Sequence, residues 1–142
     1  MVVVVAGVGG QLGFGTAIDY ALELGPSAAV QARIVAIGAQ LREQANAIDG
    51  VISADLSGLP GSGSGGVGLG GICTFNVEGL GGAVKVWEAC AAAGIAVSVT
   101  APSSTLLDAT RRQLPSLLRV SPHYFNNQKD LDAILQVFDD HV

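Results

Sequence analysis

Gly71-Ile72-Cys73-Thr74-Phe75-Asn76-Val77 alternates apolar and polar side chains over a full strand length. That period of two sends one set of side chains into a core and the other to the opposite face of a sheet. Just upstream, Val51-Ile52-Ser53-Ala54 reads as a shorter strand, separated from the first by the glycine-rich Gly61-Ser62-Gly63-Ser64-Gly65-Gly66. Toward the N-terminus the period changes from two to 3.6. A helix is predicted from about Gln11 to Leu24, where Phe14, Ala17, Ile18, Ala21 and Leu22 recur in steps of three and four and form one buried stripe. Gly25 stops it and Pro26 opens a second helix to about Asn46, with Val30, Ile34, Ile37 and Leu41 on one face.

Downstream, a helix from about Gly82 to Ala93 turns Val84, Trp87, Cys90 and Ala91 inward and closes at Gly94. Ile95-Ala96-Val97-Ser98-Val99 and Leu117-Leu118-Arg119-Val120 are the next strands. In the last helix Asn127 caps the N-terminus with Asp130 at the third position, and Leu131, Ile134, Leu135 and Phe138 make one stripe. The order ααββαββα describes an α+β fold, a small, mainly antiparallel sheet with helices packed on it. Residues 1–142 read as a single domain with no internal repeat and no dividing linker.

Composition narrows the functions open to such a domain. With 49% hydrophobic and 13% charged residues the chain is globular and able to bury a core. A net charge of -5, from seven basic against twelve acidic residues, offers no face for nucleic acid and no polybasic membrane patch. The apolar start Met1-Val2-Val3-Val4-Val5-Ala6 lacks a basic flank and meets Gly7, Gly9 and Gly10, so neither a signal peptide nor a membrane span is expected and a cytoplasmic location is. Cys73 and Cys90 belong to no CxxC and have no histidine nearby, so they are expected to be buried small side chains.

Two glycine-rich stretches invite a nucleotide-binding reading. Val2 to Val5 followed by Gly7-Val8-Gly9-Gly10-Gln11-Leu12-Gly13 has the look of a strand and phosphate loop, but its spacing is GxGxxxG. The acid-terminated second strand that a dinucleotide site needs about 20 residues later is replaced here by the helix from Pro26 to Asn46. Gly61 to Gly66 matches GxGxxG but lies between two strands, and no glycine is followed by lysine, which excludes a P-loop. Catalytic constellations are equally sparse. His123 and His141 are the only histidines, and no GxSxG elbow surrounds Ser103 and Ser104.

Arg119 stands apart. It sits on a short apolar strand that runs into Ser121-Pro122-His123-Tyr124-Phe125-Asn126-Asn127 before the last helix. A guanidinium delivered from a rigid element can hold a carboxylate through two parallel hydrogen bonds. The plain alternative is a surface arginine paired with a nearby Asp or Glu.

At these residues the chain resembles the C-terminal, smaller domain of the class V aminotransferase family. These are fold-type I pyridoxal-phosphate enzymes that include cysteine desulfurases and isopenicillin N epimerase-like proteins. Leu118 to Asn127 followed by Asp130-Leu131-Asp132 resembles the family's closing pattern of Arg, Ser, a Tyr-Asn pair and an acidic helix start. Ala17-Ile18-Asp19-Tyr20-Ala21-Leu22-Glu23-Leu24-Gly25, with Leu41-Arg42-Glu43 beyond it, is similar to the helix pair that leaves the large domain. Gly94-Ile95-Ala96-Val97-Ser98-Val99 is similar to the segment before the substrate-side loop. The three span nearly the whole chain in the family's order.

The resemblance implies that Arg119 clamps a substrate carboxylate, with Ser121, His123 and Asn126 as further substrate-binding candidates. It also implies what the chain does not carry. In the family, pyridoxal phosphate is held in the large domain by a Schiff-base lysine, an aspartate on the pyridine nitrogen and a stacked ring. Neither Lys85 nor Lys129 matches the lysine motif, and Met1 to Ala6 departs from the family's Gly-Thr phosphate-contacting segment. The loop Thr100-Ala101-Pro102-Ser103-Ser104 holds no cysteine, which points away from desulfurases and toward the epimerase- and lyase-like branches. The resulting expectation is a truncated or split enzyme: no catalytic residue and no bound cofactor in this chain alone. Its partners would be a large pyridoxal-phosphate domain on another polypeptide, an amino-acid carboxylate and a further copy of itself. A non-catalytic binding module that keeps the fold is the alternative from a different class.

Overall fold

A computed structural model describes residues 8–55 and 70–141. Two helices come first, α1 (Val8–Glu23) and α2 (Ser27–Ala45), then the strands β1 (Ile52–Ser53) and β2 (Cys73–Asn76). A 3₁₀ turn (Glu78–Leu80) leads to α3 (Ala83–Ala92) and β3 (Ser98–Thr100). A second 3₁₀ turn (Pro102–Thr105) runs into α4 (Leu106–Arg112), followed by β4 (Leu117–Val120) and α5 (Gln128–Asp139). The strands form one sheet in the order β1-β2-β4-β3 with every neighbour antiparallel. The expected α+β architecture is therefore the observed one.

The sheet is two-faced. On β2 the buried residues are Cys73 and Phe75, and in register beside them on β4 lie Val120 and Leu118. These point toward α2, α3 and α5, whose Ile37, Leu41, Val86, Cys90, Leu131, Ile134 and Phe138 complete the core. Phe75 and Phe138 meet edge to face, with ring centroids 5.9 Å apart at 67°. The alternate set, Thr74 on β2, Arg119 on β4 and Ser98 on β3, lies in one row on the other face, because directly paired residues of antiparallel strands project to the same side.

α5 begins as its sequence requires. The Asn127 side chain accepts from the Lys129 amide at 2.9 Å, while the Asp130 carboxylate accepts from the Asn127 amide at 2.9 Å, a reciprocal capping box. The Asn127 amide, and secondarily the Asn126 side chain, hold the Asp130 carboxyl below its usual range. A depressed native pKa favours the folded state fully while the group is ionised in both states and not at all once it is protonated in both. The cap's contribution is thus complete above the unfolded value near 3.8 and fades as pH falls through the lower native one. Acid unfolding followed by circular dichroism is expected to show part of its pH dependence below about pH 4 disappear in Asp130→Asn.

Five expectations are corrected. First, α1 buries no stripe: Phe14, Ala17, Ile18, Ala21 and Leu22 are all exposed, as are Leu12 and Tyr20. The stripe does share one side, with Thr16, Asp19 and Glu23 on the other, but spacing names a face without showing that anything covers it. Second, α1 begins at Val8 and not near Gln11, so the glycines at 9, 10 and 13 are helical, in keeping with the argument against a phosphate loop there. Val2 to Val5 and Gly61 to Gly66 lie outside the described residues. Third, α3 is turned by one residue: Ala83, Val86 and Cys90 face the core, whereas Val84 and Trp87 are exposed and so is Ala91. Positions 83, 86 and 90 satisfy the same helical steps as 84, 87 and 91, and their small side chains let α3 lie close to β4 and α5.

Fourth, α4 lies between β3 and β4, where no helix was expected. It is short, with Leu106 and Leu107 exposed, and an Asp108–Arg112 pair at 3.0 Å crosses one turn. Its end at Gln113 adopts φ 53°, the left-handed conformation that glycine usually supplies, so the common stop signal is absent from the sequence. Fifth, Pro26 moves from the first helical position to the cap of α2.

Candidate functional site

Arg119 occupies the middle of the open row. β4 is an inner strand, paired on one side with β2 and on the other with β3, so the Cα of Arg119 is fixed by two ladders. Thr74 and Ser98 are its register partners. The neighbours Leu118 and Val120 are buried on the other face, which forces the Arg119 side chain outward, where it is exposed. Among the described residues it has neither a hydrogen bond nor an ion pair. The surface ion pair, the plain alternative for such a residue, is not formed there.

The acid nearest in register is otherwise engaged. Asp55 follows β1 and accepts from the Thr74 amide at 3.1 and 3.2 Å, from the Thr74 hydroxyl, and from Arg42 Nε at 3.0 Å. Arg42, on α2, is 4% exposed. Its Nη2 also donates to the carbonyls of Gly70 at 3.1 Å and Ile72 at 2.6 Å. Gly38, one turn earlier, makes room: a Cβ there would lie 3.0 Å from Arg42 Nη1 and 3.1 Å from the Gly70 carbonyl oxygen. Arg42 is the residue that sequence reasoning missed as a structural centre. Its signal was a small residue four positions before it, Gly38, on the face carrying Ile34 and Leu41.

Cys73, beside this cluster, donates to the carbonyls of Gly38 and Gly71. Burial pushes its thiol up to about 12, against the smaller opposing pull of Arg42. Burial also raises Cys90. Both are the unreactive core thiols that the sequence led us to expect, and neither is a thiolate nucleophile at neutral pH.

The other candidates separate from Arg119. Beyond the Ser98–Arg119 pair, segments 94–97 and 120–122 line a cavity of about 400 Å³, closed by Leu41, Phe125 and the first two turns of α5. Ser121 and Asn126 line it; Arg119 does not. Asn126 is partly engaged: its Oδ1 accepts from the His123 amide at 2.8 Å and its Nδ2 donates to Asp130 at 3.2 Å, which leaves one N–H and one lone pair. His123 is exposed and packs its ring against Tyr124, with centroids 4.8 Å apart, and Phe125, at 5.4 Å. A hydrogen bond with Tyr20 of α1 raises the Tyr124 hydroxyl above its usual value. Arg33 of α2 donates to the Asn126 carbonyl at 3.1 Å. Both α1 and α2 thus reach the turn that follows β4.

Among the described residues, those lining this cavity do not fit a pyridoxal phosphate. The aldehyde requires an amine and the phosphate requires donors, yet the cavity's one ionisable side chain is the Asp130 carboxylate. Lys85 lies on α3 and Lys129 in the first turn of α5, both exposed and neither lining the cavity. Among the described residues no cluster of His, Cys, Asp and Glu could hold a metal ion, and no helix is long and apolar enough to cross a membrane.

No protein-family model and no curated protein matches the sequence.

Proposed function

We propose that this chain is a carboxylate-binding domain, the small domain of a pyridoxal-phosphate enzyme of the class V aminotransferase kind in its epimerase- or lyase-like branch. In this reading Arg119 receives the carboxylate of an amino acid, and a large domain on a separate polypeptide supplies the cofactor and its lysine. One observation carries it: Arg119 stands on an inner strand of the sheet, exposed and without a partner among the described residues, next to the Ser98 side chain. A carboxylate arriving there would take two donors from the guanidinium without first breaking an internal ion pair.

Alone, the domain binds and does not turn over. Its two lysines are both exposed and both outside the cavity. The separate polypeptide is the partner this reading requires, and the exposed apolar residues of α1 are a surface available to it.

The test is a titration of the ¹⁵N-labelled domain with L-alanine, read at the Arg119 Nε–Hε resonance in the wild type and, in both the wild type and Arg119→Ala, at the backbone amides of its register partners Thr74 and Ser98. Saturable binding is expected in the wild type and a loss of about 2 kcal/mol, roughly thirtyfold, in Arg119→Ala. Absence of binding in the wild type, or equal binding in the variant, would overturn the proposal.

A further inference from the structure

We infer that Arg42 is a positioning residue for Arg119, acting by holding Asp55 so that the carboxylate does not occupy the guanidinium meant for a ligand. The inference rests on the carboxylate-binding reading and goes beyond it.

Three observations combine. Thr74 is the register partner of Arg119, so the two side chains leave the sheet side by side on its open face. Asp55 is fastened to that same Thr74 through both its amide and its hydroxyl. An arginine side chain is long enough to reach diagonally past one strand neighbour. A carboxylate in this position is the natural internal partner for Arg119, yet among the described residues the pair is not made.

The difference lies on the far side of Asp55. Arg42 Nε donates to Asp55 Oδ2 at 3.0 Å. The Arg42 side chain is 5% exposed and that of Asp55 14%, so this pair is screened far less than one at the surface. Arg42 cannot drift away, because its Nη2 is bound to the Gly70 and Ile72 carbonyls. The Asp55 charge is neutralised from the α2 side, and its Oδ1 is filled by Thr74. An Arg119–Asp55 pair would have to compete with a donor already aligned and desolvated. Two arginines therefore compete unequally for one acid: the buried one keeps it, and the exposed one is left without a partner among the described residues.

The experiment follows Arg119 Nε–Hε by NMR and L-alanine affinity by titration in the wild type, Arg42→Met and Arg42→Met/Asp55→Asn. In Arg42→Met the released Asp55 is expected to pair with Arg119, shifting its resonance and weakening L-alanine by about fivefold. Both effects should revert in the double variant, a rescue that a merely structural role of Arg42 would not produce. If Arg42→Met does not fold, Arg42→Lys carries the test. Its ammonium can serve the two carbonyls but lacks the second fork that reaches Asp55.

A folded single variant whose Arg119 resonance matches the wild type would overturn the inference, as would a shift that Asp55→Asn leaves in place. The resonance reports on the pair even if L-alanine does not bind. A wild type that ignores L-alanine thus ends the carboxylate-binding reading without being mistaken for the failure of this one.

Discussion

Phe138→Ala is expected to destabilise the domain by about 3–5 kcal/mol, the range for truncating a fully buried aromatic ring. Phe138 is 0% exposed and meets Phe75, also 0% exposed, edge to face. The pair joins α5 to the middle of the sheet, and Leu118 and Val86 belong to the same core. Losing the ring removes its buried apolar area and leaves a cavity among rigid neighbours that cannot all collapse into it. Domains of this size carry about 5–15 kcal/mol of total stability, so the variant should sit near its unfolding transition at room temperature. Urea denaturation followed by far-ultraviolet circular dichroism would read the loss directly. A change below about 1 kcal/mol would mean that α5 is not held to the sheet as described.

Asp55→Ala should cost about 3 kcal/mol by a different route. Here no large volume is lost; instead Arg42 keeps its charge in a site from which water is nearly excluded. Breaking a buried pair by removing one partner costs about 3–5 kcal/mol because the remaining charge is uncompensated. The lower end applies because Asp55 retains some exposure and the Gly70 and Ile72 carbonyls still accept from Arg42. The Thr74 amide loses its acceptor as well. A control lies in the same molecule: Asp108 is half exposed and pairs with Arg112 one helical turn away. Asp108→Ala should cost only about 0.3–0.5 kcal/mol. Equal effects of the two substitutions in one denaturation series would contradict the buried character of the Arg42 site.

How much of this was legible in the sequence differs by element, and the differences have causes. β4 was readable to the residue, because an apolar strand ending in Ser-Pro has one plausible frame. α5 was readable because the Asn127 and Asp130 box and a strongly one-sided stripe agree with each other. The facing of α3 was not, since adjacent residues give two stripes of equal merit and only the sheet beneath decides between them. α1 failed for a different reason: its stripe could be read, but periodicity names a face without showing that anything covers it, and in the described structure those residues are exposed. α4 lacked a glycine stop, and its one internal cue was the Asp108–Arg112 spacing.

The candidate site divides in the same way. Arg119 was found from its strand and the polar turn after it, both local features. That it has no partner among the described residues, while Asp55 is engaged by a residue 13 positions earlier on another helix, is a matter of tertiary packing that no local pattern encodes. Ser121 and Asn126 were grouped with Arg119 because they are near it in sequence. The chain leaves the sheet after Val120, however, and carries them to the cavity at the sheet's end.

Arg42 has a bearing on how this fold can vary. Through Asp55 and Gly70 a single guanidinium grips the chain on both sides of residues 56–69, so the two points between which that segment runs are set by α2 and not by the segment itself. Whatever displaces Arg42 therefore moves the end of β1 and the approach to β2 together, which couples the position of α2 to the edge of the sheet.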